Sequence, residues 1–335
     1  MKKFMNEPEN FINETLEGLL SAHPNKLRSV REDNKALVRA DAPIENKVAI
    51  VTGGGAGHLP LFLGYIGKGM VDGASVGEVF TASSAQQMLD TTKAVESGKG
   101  VLYIYGNYSG DVMNFDMAAE MAEEDGIRVE TVIGKDDIAS MPIEQKEDRR
   151  GVAGIFYLYK LAAAKAEQGA NLEELKEFTE KVNNQVKTIG VALSPCVLPN
   201  VGKPAFTIEE NSMEIGMGIH GEPGIEKGSL QTADEIASNL IEKILQDYGN
   251  EKVENVSVLI NGLGSTPLEE LYIVYRKVSL ILKDKGIDIC KAHVGQYATS
   301  LEMTGLSISL LNTNEEIRSL LELPFSTPFH EQSSL

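Results

Sequence analysis

Apolar positions along the chain fall into two rhythms. Uninterrupted apolar runs at 47–51 and 100–105, and an alternating run at 128–133, read as strands. Between and after them the spacing becomes helical. It predicts helices over 82–97, with Ser83 or Ser84 as the cap, over 116–124, over the alanine-rich 154–167 and over the charged, amphipathic 171–187. Strand and helix in strict alternation predict a parallel, wound sheet. After about residue 190 the character changes. A strand over 188–193 is followed by Pro195, Pro199 and Pro204, which break the chain. Strands at 214–219, 253–260, 287–294 and 306–311 then mix with helices at 232–246, capped by Thr232, and at 267–285. The expected fold is α/β in two domains: residues 1–189 with a wound, mostly parallel sheet, and residues 190–335 as a second α/β domain.

Three turns interrupt this pattern with chemistry. Gly53-Gly54-Gly55-Ala56-Gly57-His58-Leu59-Pro60 follows the 47–51 strand directly, where an open α/β sheet places its ligand. It is a poor dinucleotide fingerprint, because His58 stands where the third glycine belongs. It is not a phosphate loop either, since Lys68 has no Ser or Thr after it. A cradle for a small polar ligand is the reading that remains beside a purely structural turn. Asn107-Tyr108-Ser109-Gly110-Asp111 follows the 100–105 strand, and Asp111 falls at the start of a helix. It is either a helix cap or an acceptor for a ligand hydroxyl. Gly218-Ile219-His220-Gly221-Glu222-Pro223-Gly224 holds His220 in a glycine-flanked turn at the end of the 214–219 strand. That imidazole is placed to act as a base, a metal ligand or a nucleophile. With His58 and Asp111 in the first domain and His220 in the second, the site is expected in the cleft between them.

These three segments together resemble the dihydroxyacetone kinase family, in its sugar-binding subunit. The likeness extends through Gly77-Glu78-Val79-Phe80-Thr81, Asp148-Arg149-Arg150-Gly151-Val152-Ala153-Gly154, Ser194-Pro195-Cys196, Asn261-Gly262-Leu263-Gly264-Ser265-Thr266-Pro267 and Ser300-Leu301-Glu302-Met303-Thr304-Gly305. The resemblance implies a homodimer that binds dihydroxyacetone covalently, His220 adding through Nε2 to the ketone carbon to give a hemiaminal. It assigns His58 and Asp111 to the terminal hydroxyls, and the backbone at Gly55, Ala56 and Gly57 to the lining of the pocket. A bond that demands a carbonyl separates a ketose from glycerol more sharply than hydrogen bonds to hydroxyls do.

The chain also departs from the kinase pattern. Ala56 replaces a serine of the glycine loop, Leu59 a glutamate after the histidine, and Gly106 a lysine before the Asn-Tyr-Ser-Gly-Asp run. Ala82-Ser83-Ser84-Ala85 stands where the kinases carry Ser-Pro-Thr-Pro. Phosphoryl transfer relies on placed charge, and the changes at 59 and 106 remove it while His58, Asp111 and His220 stay. This pattern resembles the non-kinase paralogue that acts as ligand-dependent coactivator of a TetR-like activator of the dihydroxyacetone operon. The alternative is a sugar-binding subunit of the phosphoenolpyruvate-dependent kinase, working with an ADP-carrying donor subunit. A ketose or aldehyde scavenger is a third reading.

Composition narrows the partners. Thirty-one basic and 49 acidic residues leave a net charge of −18, which repels nucleic-acid backbones. Any role in transcription is therefore expected to run through a DNA-binding partner. No apolar run approaches the roughly 20 residues that cross a bilayer, and the first residues lack the apolar core of a signal peptide, so a cytoplasmic protein is expected. Cys196 and Cys290 have no metal-binding or redox spacing and read as reduced, structural thiols. His23, His293 and His330 sit in a loop, beside a strand and in a polar tail. No metal and no cofactor are expected.

Overall fold

The computed structural model describes residues 2–333; Met1, Ser334 and Leu335, the outer ends of the two expected domains, lie outside them. The chain opens with helix α1 (Phe11–Ala22) and forms a six-stranded sheet from β1 (Leu27–Ser29), β2 (Ala36–Arg39), β3 (Ala49–Ala56), β4 (Gly73–Val79), β5 (Val101–Gly106) and β6 (Val129–Gly134). The order is β1-β2-β4-β3-β5-β6. Strands β4, β3, β5 and β6 run parallel, and β1 and β2 add an antiparallel edge. The crossovers include α2 (Ala85–Val95) and α3 (Ser109–Glu124), followed after β6 by α4 (Ile155–Glu167) and α5 (Leu172–Gln185). Strands β3 and β5 are buried almost throughout, as expected of parallel strands covered on both faces.

At Val186 the chain passes to a second six-stranded sheet. It uses β7 (Val186–Ser194), β8 (Ser212–Ile215), β9 (Glu226–Ser229), β10 (Asn255–Gly262), β11 (Asp288–Gln296) and β12 (Thr304–Asn312), in the order β11-β10-β12-β7-β8-β9. Only β10 and β11 pair in parallel here. Helices α6 (Ala233–Asp247) and α7 (Leu268–Asp284) cover it, and α8 (Glu315–Leu321) and the hairpin β13 (Phe325–Ser326) and β14 (Glu331–Gln332) close the described chain. The architecture is two α/β layers, the first with a wound, mostly parallel sheet.

Helix α4 joins the layers. All of it but Lys165 and Glu167 is buried, which marks a helix enclosed on every side. Its runs of alanine allow close approach, and two of its tyrosines reach opposite ways. Tyr159 Oη meets Thr52 Oγ1 of β3 at 2.7 Å, and Tyr157 Oη meets Ser257 Oγ of β10 at 3.0 Å. Buried phenols need such partners. One apolar cluster accordingly runs from Ile50 and Leu102 through Phe156 to Leu259 and Leu311.

Most predicted elements appear with different ends: α2 is shorter than expected, whereas α3 starts at Ser109 rather than 116 and β7 and β12 are longer. Ser84 caps α2 and Thr232 caps α6, each in a reciprocal capping box. Two expectations change. The strand expected over 214–219 stops at Ile215, because Gly216 takes φ +80° and turns the chain out of the ladder; His220 therefore sits in a free-standing turn, not on a strand end. His330 does not lie in a loose polar tail, for the β13–β14 hairpin stacks its ring on Tyr297 at 4.5 Å.

Candidate functional site

His58, Asp111 and His220 are brought to one place, the first two by the ends of β3 and β5 and the third by the turn after β8. The His58 and His220 rings stand 4.8 Å apart, nearly perpendicular. Phe80 stacks on His58 at 4.9 Å and meets His220 edge-on at 5.2 Å, and Tyr108 closes on His220 at 4.7 Å. An aromatic wall thus surrounds the imidazoles.

The two histidines have opposite surroundings. His58 is 1% exposed. Its Nδ1 is 2.7 Å from the Thr299 carbonyl; a carbonyl only accepts, so Nδ1 carries the hydrogen and Nε2 keeps its lone pair. Burial, helped by the neighbouring His220, lowers its pKa to about 3, so His58 is neutral at physiological pH. Its Nε2 is buried without a partner. His220 is half-buried, and its Nδ1 lies 3.0 Å from Glu222 Oε1. Glu222 also accepts the His220 backbone N–H at 3.0 Å through Oε2. Burial alone would raise this carboxyl. The hydrogen bond and charge of His220, with Arg150 behind it, hold it down at about 2. Arg150 is itself paired with Asp137 at 2.8 Å and donates to the Gly216 carbonyl at 3.1 Å. Gly218 makes this fold-back possible, since a Cβ there would stand 2.1 Å from Glu222 Oε2 and 2.5 Å from Arg150 Nη1.

Asp111 does not cap its helix. The N-cap of α3 is Tyr108, and Asp111 lies in the first turn, 8% exposed. Its Oδ1 has no hydrogen-bond partner. Burial raises its pKa to about 7 against the opposing pull of His220, so it exchanges a proton near neutrality. Two buried acceptors, His58 Nε2 and Asp111 Oδ1, therefore lie near an imidazole whose Nδ1 faces Glu222 and whose Nε2 carries a lone pair when the ring is neutral. That set suits a small molecule with hydroxyls to donate and an electrophilic centre to receive the lone pair.

The backbone of the glycine loop is largely spent on its own support. The Ala56 carbonyl accepts from Phe80 N–H and the Gly57 carbonyl from Leu301 N–H. Gly55, Ala56 and Gly57 also line a cavity of about 820 Å³ with α1 and Leu268. His58 lines this mainly apolar cavity too, with Lys3 and Glu302, whereas Asp111 and His220 do not. Leu59 lines it as well. At Gly106 a Cβ would lie 3.1 Å from the Tyr108 ring and 3.2 Å from the Gly151 carbonyl, so any side chain there must displace that ring by a few tenths of an ångström.

Sequence reasoning gave no role to Glu222, Arg150, Phe80 or Thr299. The first was legible, two residues after His220 with a proline behind it. Arg150 and Thr299 arrive from distant segments, and no local spacing announces them. Cys196 is buried with Sγ 3.7 Å from Ser300 Oγ, and both cysteines are free. Among the described residues no group of three or more His, Cys, Asp or Glu is placed to hold a metal, and no helix is long and apolar enough to cross a membrane.

A model of the Dak1 domain matches residues 17–329. The dihydroxyacetone-binding subunit of PTS-dependent dihydroxyacetone kinase 2 of Listeria innocua is 46% identical, over 98% of this chain and 99% of its own. Among solved structures, a dihydroxyacetone kinase operon co-activator, Dha-DhaQ, superposes with a TM-score of 0.88 at 32% identity, over 96% of this chain and 97% of that one. The dihydroxyacetone kinase of C. freundii, in complex with AMP-PNP and Mg2+, gives 0.90 at 32% identity, over 99% of this chain and 61% of that one.

Proposed function

Since the chain belongs to the Dak1-domain family, we propose that it binds dihydroxyacetone, captures it as a hemiaminal on His220, and in that state serves as coactivator of a TetR-like activator of the dihydroxyacetone operon. The observation that carries the capture is the pairing of His220 Nδ1 with Glu222 beside two unpartnered acceptors. The Nε2 lone pair adds to the ketone carbon and a C–N bond forms. The π pair moves to oxygen, which takes a proton from solvent. The imidazolium so formed keeps its Nδ1–H on the Glu222 carboxylate, which offsets the charge. His58 Nε2 and Asp111 accept the terminal hydroxyls. A three-carbon ketose cannot close into a stable ring, so its carbonyl stays open to this attack.

The coactivator role is supported by Leu59 and Gly106, where the kinase pattern carries charged residues, and by the likeness to the operon co-activator. In this reading the protein is a cytoplasmic homodimer that touches no DNA itself. The Listeria relative favours a second reading, the sugar-binding subunit of a kinase served by an ADP-carrying donor subunit. Calorimetry against the activator, with and without dihydroxyacetone, tests the first: the loaded protein binds more tightly, and the activator tightens ketose binding by the same factor. Equal affinities, together with rapid phosphorylation of dihydroxyacetone when a donor subunit is supplied, would replace it with the second.

A further inference from the structure

The two histidines come from different sheets, yet their alignment meets in one short segment, residues 297–301, just beyond β11. Asn261 of β10 fixes its start. Oδ1 accepts from the N–H groups of Tyr297 at 2.8 Å and Ala298 at 2.9 Å, and Nδ2 donates to the Ala298 carbonyl at 2.8 Å. A buried amide satisfied in this way holds one backbone conformation. The next two residues reach in different directions. The Thr299 carbonyl accepts the Nδ1–H of His58, and Thr299 Oγ1 donates to the Leu59 carbonyl at 3.0 Å. Ser300, fully buried, donates through Oγ to the Ile219 carbonyl at 2.5 Å, in the peptide directly before His220. Its N–H is tied to the Leu263 carbonyl at 2.8 Å, and Leu301 N–H returns to the Gly57 carbonyl at 2.8 Å.

The bonds inside the His220 turn do not align it with His58. Gly218 N–H to the Glu222 carbonyl, Gly221 N–H to the Gly218 carbonyl, and the Glu222 side chain fix the shape of the turn. Arg150, from the segment after β6, ties the turn to the first layer through the Gly216 carbonyl, but its alignment with His58 needs a link that also grips the His58 loop. The 297–301 segment grips both.

We propose that Thr299 and Ser300 are the positioning residues of the capture site, Thr299 setting which nitrogen of His58 is the acceptor and Ser300 setting the aim of His220. This rests on the capture reading above, and neither residue acts on the ketose itself. Loss of the Ser300 hydroxyl leaves the Ile219 carbonyl unpaired and frees the peptide that orients the nucleophile, a loss that falls on the bond-forming step.

The test is Ser300→Ala in the full chain, read in two ways. The rate of adduct formation with dihydroxyacetone falls roughly tenfold, while the affinity for glycerol, which engages His58 and Asp111 through hydroxyls alone, is unchanged. Equal rates in variant and wild type, or a parallel loss of glycerol affinity, would overturn the Ser300 assignment. Long-range 1H–15N spectra of the ligand-free protein show the His58 hydrogen on Nδ1 in both proteins; a hydrogen on Nε2 in the wild type would overturn the Thr299 assignment. A wild type that forms no adduct removes the capture reading and the Ser300 half with it, and the His58 spectrum still decides the Thr299 half.

Discussion

His58 and His220 are neighbours with opposite partners. His58 is sealed in the first layer against a neutral carbonyl, and His220 stands half-buried on a turn of the second layer against a carboxylate. A carbonyl fixes a tautomer but offers little to a cation, so burial wins and His58 stays a neutral acceptor. A carboxylate fixes the same tautomer and also balances the positive charge that appears when Nε2 attacks an electrophile. In the proposed capture, one residue type supplies a recognition group and a nucleophile 4.8 Å apart, and the group facing Nδ1 decides which is which.

The largest effect separating the two comes from truncation. His220→Ala abolishes the mass gain seen when the intact protein is sprayed under mild conditions with dihydroxyacetone. His58→Gln keeps the gain and binds the ketose more weakly. A retained gain in His220→Ala would move the nucleophile elsewhere.

Removing the charge behind His220 is the next test. Glu222→Gln keeps an acceptor at Nδ1 but not the balancing carboxylate. A hydrogen bond to a charged group contributes about 1.5–3 kcal/mol, so adduct formation slows by roughly ten- to hundredfold in rapid-mixing experiments. An unchanged rate would mean that the carboxylate only shapes the turn.

A smaller effect lies in the pH dependence of stability. His58 has its folded pKa lowered, from 6.5 to about 3. The unfolded chain binds the proton more readily, so this group's contribution is lost as pH falls from about 6.5 toward 3. Asp111 has its folded pKa raised, from 3.8 to about 7. There the native state holds the proton, and stability is lost as pH rises from about 4 to 7. The two slopes oppose each other across the same window. Relative to wild type, His58→Gln gains stability as pH falls through that window and Asp111→Asn gains as it rises. Urea midpoints at pH 5 and 7.5 check both signs. Ketose affinity in the wild type rises as pH climbs through about 7, where Asp111 becomes a full acceptor, and Asp111→Asn flattens that rise.

Much of this contrast was legible in the sequence, and the reasons for the gaps are physical. The buried strands β3 and β5 announce themselves by apolar runs, and their carboxyl ends deliver His58 and Asp111. Ser84 and Thr232 announce their helices because a capping box is local in sequence. The short edge strands β1 and β2 carry too few residues for a period to show, and β4 is obscured by Gly73 and Gly77. The Thr299 contact joins residues 241 positions apart, and the Arg150 support of the Gly216 turn joins residues 66 apart. Such contacts are set by how two sheets pack across α4, which no spacing along the chain encodes. Taken alone, Asp111 read first as a cap and second as a ligand acceptor; the cap fails because α3 begins two residues earlier, at Ser109.

The proposed capture is a bond between His220 and the ketone carbon. Dihydroxyacetone labelled with 13C at the carbonyl, added to protein carrying 15N-histidine, measures it directly. The bound carbon is expected to leave the ketone region for that of a tetrahedral carbon and to couple to one histidine nitrogen, and His220→Ala to lose the coupling. A bound carbon that stays in the ketone region, or a tetrahedral one without coupling to nitrogen, would contradict it.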